Sequence, residues 1–304
     1  MKLLSVGLTG VNQDVTMRLQ KDCCSLMHEG FRIAVDEMSR GKYTFIGCNI
    51  VEGELSFRNY ERVKDSLKNY VAKIVADFIL GNEEKVLVHR LIERNYHYFS
   101  KEEQKIIYEN SLKLLNDSSC CLIQDFSAGA RRNRIVTRLM EYLDNHHELV
   151  VDGFVQFRLK DYRDGLAQVV DKAVDDLMLD LEYQEFIRVL RYFINVQEPQ
   201  MEETHVIIYG ASSFKLLDGK GKSIDNQYLD SFDAQYSEEI NYQDLLITAL
   251  IAVAPHHVVL HNPRSQGTSD LIRTIKSIFE NRVMVCTGCE LCSSESVFHN
   301  IDRD

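Results

Sequence analysis

The sequence has 304 residues, 45% of them hydrophobic and 27% charged, and a formal net charge of −11. Such a chain can bury a sizeable core, which excludes a disordered polymer or a cross-linked miniature fold, and its length predicts two or three packed units. The acidic balance argues against nonspecific attachment to nucleic acid or anionic lipid, because both need clustered positive charge.

From Met1 the chain reaches polar Asn12, Gln13 and Asp14 before a signal-peptide core of adequate length can form. The longest apolar stretch, Leu245 to Pro255, falls well short of the ~20 residues of a membrane span. The expectation is a cytoplasmic protein with no membrane partner, whose eight cysteines stay reduced.

Taken in chain order, the pattern predicts a strand over Leu3–Leu8, a helix over Gln13–Met27, and strands over Phe31–Val35 and Tyr43–Val51. These make a small α/β segment, residues 1–56. From Asn59 the period becomes helical: Val63, Leu67, Val71, Ile74, Val75 and Phe78 return to one face, and Gly81-Asn82 is expected to end that helix. A second helix carries Val86, Leu87, Leu91 and Ile92, and a third starts at Ser100, where Glu103 completes a reciprocal capping pattern. Ile135, Val136, Leu139, Met140 and Leu143 mark another helix, as do Phe186, Ile187, Leu190, Phe193 and Ile194; Leu149 to Leu159 fits strand or helix. No proline precedes Pro199, so a helical bundle over residues 57–198 is the simplest packing.

The polar stretch Gln197 to Gln200 reads as a boundary before a C-terminal α/β unit, residues 203–304. His205–Tyr209 and Phe214–Leu217 form a predicted hairpin with a further turn at Asp218-Gly219. Ser223 to Pro263 contains six carboxylates and no Lys or Arg, without the ligand spacing of a calcium loop. Asn241 caps a buried helix over Leu245–Ile251, Pro255 stops it, and Val258–Leu260 is a strand. A helix with Leu271, Ile275 and Phe279 closes at Asn281, and Val283–Val285 gives a parallel partner strand. The fold class is α+β, mainly helical in the middle with α/β units at both ends.

Several blocks are familiar. Leu245-Leu246-Ile247-Thr248-Ala249-Leu250-Ile251, Val258-Val259-Leu260-His261-Asn262-Pro263, Ile278-Phe279-Glu280-Asn281-Arg282-Val283 and Cys286-Thr287-Gly288-Cys289-Glu290-Leu291-Cys292, together with Asp152 to Tyr162 and Tyr192-Phe193-Ile194, resemble the YtxC family of proteins associated with sporulation in endospore-forming bacteria. The matching blocks lie in about the last half of the chain. The resemblance implies a setting, sporulation in a low-GC Gram-positive cell, and carries over no catalytic residue.

The sharpest local signal is Cys286-x-x-Cys289-x-x-Cys292 after a predicted strand. Three thiolates at this spacing can turn together onto one Zn²⁺ or an iron-sulfur cluster. Ser296 stands where a ferredoxin-type run would have its next cysteine, so a fourth ligand must come from elsewhere, with Cys48, Cys120, Cys121 and His299 as candidates. An enzyme alternative rests on His257 and His261, which share one strand face, and an anion-site alternative on Arg264, Gly267, Thr268 and Ser269 at a helix start. A nucleic-acid alternative rests on Arg131, Arg132, Arg134 and Arg138, against which stand the balancing Glu141, Asp144 and Glu148. The pairs His146-His147 and Cys23-Cys24 diverge on a helix and read as structural. The main expectation is a noncatalytic, sporulation-associated interaction module with a protein partner and a C-terminal metal site.

Overall fold

A computed structural model describes residues 2–10, 13–26, 32–52, 57–117, 126–209, 213–224, 242–261 and 269–293. It shows an α+β protein with two four-stranded mixed sheets among long helices. None of its described helices is long and apolar enough to cross a membrane. Contacts divide the chain into Met1–Leu179 and Asp180–Asp304. The division falls inside the 37-residue helix Lys160–Val196 and not at the polar stretch near Pro199.

In the first unit, β1 (Lys2–Thr9), α1 (Gln13–Leu26), β2 (Arg32–Arg40) and β3 (Tyr43–Glu52) follow the predicted order. The sheet runs β2-β3-β1-β4, and β4 (Glu148–Val150) comes from far along the chain to pair parallel with β1. Residues 149–159, which fit either state, thus divide between them: β4 gives way directly to α6 (Val151–Arg158). Cys23 and Cys48 are buried in this unit and their thiols hydrogen-bond each other. Burial and that bond push the Cys48 thiol well above its ordinary range, the bond being the larger cause. The same bond holds the Cys23 thiol below its ordinary value, and both side chains are packed in the core.

Helix α2 (Phe57–Phe78) buries Val63, Leu67, Val71 and Val75, one residue per turn along a single stripe. Gly81-Asn82 does not end the helical path. A π-helical turn, Ile79–Glu83, absorbs them and leads straight into α3 (Glu84–Asn95), so a glycine with no strand or loop to follow it serves as a widening of the helix. Next come α4 (Lys101–Asn116) and α5 (Ala128–Asn145). Ser100 caps α4 as expected: its hydroxyl accepts from the Glu103 N–H, and the Glu103 carboxylate accepts from the Ser100 N–H.

In α7 (Lys160–Val196), Gly165 passes so close to Phe126 that a Cβ there would stand 2.3 Å from the ring. Gly165→Ala should therefore destabilise the first unit by about 1–3 kcal/mol despite the better helix propensity of alanine, as urea unfolding would show.

The second unit is built on the sheet β6-β5-β7-β8. β5 (Met201–Ile208) and β6 (Phe214–Asp218) form the predicted hairpin. After α8 (Tyr242–Val253), β7 (Pro255–His261) returns parallel to β5, and after α9 (Ser269–Phe279) β8 (Val283–Val285) lies parallel to β7. The chain leaves α9 through Glu280, whose φ of 48° is the left-handed position expected one residue later at Asn281. Val206, Ile208, Val258 and Leu260 pack on one sheet face against Leu250, Leu271, Ile275 and Ile278. The acidic residues 225–241, including Asn241, and the anion-site residues Arg264, Gly267 and Thr268 lie outside the described residues, while Ser269 opens α9.

Candidate metal centre

Side chains alternate along a strand, so with Val258 and Leu260 in the core, His257, Val259 and His261 occupy the opposite face of β7. His261 is the last residue of that strand and is only 3% exposed. The parallel register pairs Leu260 with Val285, and the Cys286 N–H donates to the Leu260 carbonyl at 2.9 Å, carrying the ladder one residue further. Cys286 therefore emerges beside His261 at the carboxyl ends of two parallel strands.

Two local devices then fold the cysteine run back on itself. Gly288 has φ 134°, a backbone conformation that side chains exclude, and its N–H points to Cys286 Sγ at 3.4 Å. The short turn α10 (Glu290–Ser293) follows, where the Cys292 N–H donates to the Cys289 carbonyl at 3.0 Å. Residues three apart on such a turn face the same side.

The result is a single cluster. Cys289 Sγ and Cys292 Sγ are 3.9 Å apart, and His261 Nδ1 lies 3.3 Å from the first and 3.5 Å from the second. The ligand atoms of His261, Cys286, Cys289 and Cys292 all fall within 4.8 Å of one another, a group that could hold a metal ion. A tetrahedral Zn²⁺ with bonds of ~2.3 Å to sulfur and ~2.05 Å to nitrogen sets edges of about 3.8 Å between sulfurs and about 3.6 Å between sulfur and nitrogen. The three distances among His261, Cys289 and Cys292 match those edges, and Cys286 Sγ lies within 4.8 Å of each of the other three ligand atoms.

Electrostatics fits the same donor set. Desolvation opposes ionisation of Cys289, yet the Cys292 and Leu291 N–H groups and the neighbouring thiols outweigh it and hold this thiol below its ordinary value. Cys292 is pushed up, first by desolvation, then by hydrogen bonds with the Cys286 and Cys289 sulfurs, and last by charge repulsion from Cys286, which a cation would relieve. Burial, then His205, lowers His261 and favours the neutral imidazole that metals bind.

On its far side, His261 Nε2 lies 3.0 Å from His205 Nδ1, and His205 Nε2 lies 3.8 Å from a Glu203 carboxylate oxygen. Sequence reasoning missed both residues. Their signal was the alternation Glu203-x-His205 on the strand face opposite Val206, readable only once β5 is known to pair with β7.

The structure thus brings the three predicted cysteines together with His261, a fourth side chain of a group that could hold a metal ion. Cys48 is buried with Cys23, and Cys120, Cys121 and His299 lie outside the described residues. It also separates the histidine pair of the enzyme alternative: His257 groups with Glu202 and His256, His261 with the thiols. Strand neighbours two apart on one face point the same way, but residues four apart stand too far along the strand to share one small site.

The four arginines differ in their surroundings. Arg131 is buried against Glu84, Arg132 Nε donates to Asp77 at 2.6 Å, and Arg138 pairs with Glu141 and Asp161, which leaves exposed Arg134. His146 stacks on Tyr142, with ring centroids 4.2 Å apart.

No solved structure matches the chain. It is similar to the protein named "Uncharacterized protein YtxC" of Bacillus subtilis (strain 168), at 24% identity over 224 residues that cover 71% of this chain and 76% of that one. The model of the YtxC-like family matches residues 69–284, which include His205, His261 and the helical core around Arg131, and the chain therefore belongs to the YtxC-like family.

Proposed function

We propose that Cys286, Cys289, Cys292 and His261 hold one Zn²⁺ as a structural centre that closes the carboxyl end of the second sheet in a noncatalytic interaction module. The observation that carries this reading is the convergence of four ligand atoms within 4.8 Å, three of whose separations are close to the edges of a single tetrahedron. Four protein ligands fill a tetrahedral shell and leave no open position for water, which is the pattern of structural and not catalytic zinc. An iron-sulfur cluster suits the geometry less, because its cysteines bind different irons and stand farther apart than one ion requires. The metal would tie β7 to the end of β8 and the chain that follows it, where apolar burial is thin: Met284 and Val285 of β8 are exposed.

Metal and acid-labile sulfide analysis of anaerobically purified protein tests the reading. About one zinc per chain without sulfide is expected, and Cys289→Ser should lose it. Protein with no stoichiometric metal, or with matched iron and sulfide, overturns it.

The sporulation setting is supported by the family resemblance alone. A deletion strain should lose spore yield while its vegetative growth rate stays near that of the parent. Unchanged spore yield beside a clear growth defect would remove this assignment.

A further inference from the structure

We propose that His205, backed by Glu203, is a positioning residue of the metal centre, which holds His261 in the one tautomer and ring orientation that aim Nδ1 at the metal. The proposal rests on the zinc reading above.

The argument follows the hydrogen atoms. A neutral imidazole binds a metal through the nitrogen that lacks a proton, so ligation at His261 Nδ1 places the ring proton on Nε2. Nε2–H then needs an acceptor, since His261 is buried. Facing it at 3.0 Å is His205 Nδ1. To accept there, His205 must be neutral with its proton on Nε2, and that nitrogen faces the Glu203 Oε1 carboxylate oxygen at 3.8 Å, longer than a hydrogen bond. The His205–His261 hydrogen bond thus fixes the tautomer of His261, and the nearby carboxylate favours the Nε2 proton of His205 by its charge alone.

The backbone builds this row. Glu203 and His205 alternate on one face of β5, and the register sets Ile207 beside His261 and His205 beside Val259 on the parallel neighbour. His205 therefore reaches His261 diagonally across one strand spacing, and its ring meets the other at 40°, with centroids 5.2 Å apart. Stacked rings would share faces; tilted rings at this distance allow the nitrogen-to-nitrogen bond. Partners of this kind orient histidine ligands and raise their basicity, and losing one weakens metal binding about 10- to 100-fold.

The test compares zinc affinity, by competition with a chromophoric chelator, in full-length wild type, His205→Leu and His205→Asn. His205→Leu should bind zinc about 10- to 100-fold more weakly, and its cobalt(II) form should shift its ligand-field bands while keeping thiolate charge transfer. His205→Asn should recover most of the affinity, because the asparagine Oδ1 stands where Nδ1 stands and accepts the same hydrogen bond. Nitrogen-15 spectra of zinc-loaded wild type give a readout that needs no variant: His205 and His261 should both carry their proton on Nε2. Wild type that takes up neither zinc nor cobalt overturns the metal reading and this proposal with it. Wild type that binds zinc while His205→Leu binds it equally well, or a His205 protonated on Nδ1 in the loaded protein, overturns the positioning role alone.

Discussion

Replacing Arg131 by leucine should destabilise the first unit by about 3–5 kcal/mol, because it strands a carboxylate in the core. The guanidinium is 3% exposed and every face of it is engaged. Nε donates to Glu84 at 3.1 Å, Nη2 to the other Glu84 oxygen at 3.3 Å, and Nη1 to the carbonyls of Leu115 and Phe126 at 3.0 and 2.9 Å. Tyr162, wholly buried, donates to Glu84 at 2.6 Å, and burial followed by the carboxylate pushes its hydroxyl far above the ordinary phenol range. Leucine would fill the volume but remove the counter-charge of buried Glu84 and one donor from each of two carbonyls. The double variant Arg131→Leu with Glu84→Leu should lose less than the two single losses added together, since the stranded charge is gone. Arg134→Ala, on the exposed side of the same helix, should stay within about 0.5 kcal/mol of the parent. Urea unfolding of the parent and the four variants, Glu84→Leu included, reads the whole comparison. An Arg131→Leu loss no larger than that of Arg134→Ala would contradict the buried-network account.

Removing the metal should act on the second unit and spare the first. Zinc that binds only the folded site stabilises it by about 4 kcal/mol at a free concentration near 1,000 times its dissociation constant, and chelation withdraws that contribution. The effect should concentrate where the ligands sit. Hydrogen exchange of the amides in β8 and residues 286–293 should rise sharply on chelation, together with the last residues of β7, and return when zinc is restored. Amides of α2 and α5 should exchange as before. Uniform loosening of both units, or no change at residues 286–293, would show that the cysteine run is ordered by something else.

What the sequence made legible, and what it hid, follows the range of the interactions. The three cysteines announce themselves because their spacing is local: a glycine turn and one helical turn suffice to gather Cys286, Cys289 and Cys292. His261 is 28 residues from Cys289 and meets it only because β7 and β8 pair in parallel. Its spacing to His257 suggested a different pair, since a strand's alternation shows which residues share a face but not how far apart they end. Helix periods and the Ser100 cap were readable for the same local reason. Arg131 was not, because a basic run has the same composition whether it faces solvent or a buried glutamate 47 positions away. Gly81-Asn82 misled because the signal for a helix end is also compatible with a π turn when both flanks keep their helical period.

The most direct test of the centre is zinc K-edge absorption on protein purified without added metal. The account predicts one zinc per chain with three sulfur neighbours at about 2.3 Å and one nitrogen at about 2.0–2.1 Å. In His261→Ala the nitrogen should disappear or be replaced by a light atom of solvent, with the three sulfurs kept. A wild-type shell of four sulfurs, a shell of nitrogen and oxygen alone, or protein that carries no zinc at all would contradict it.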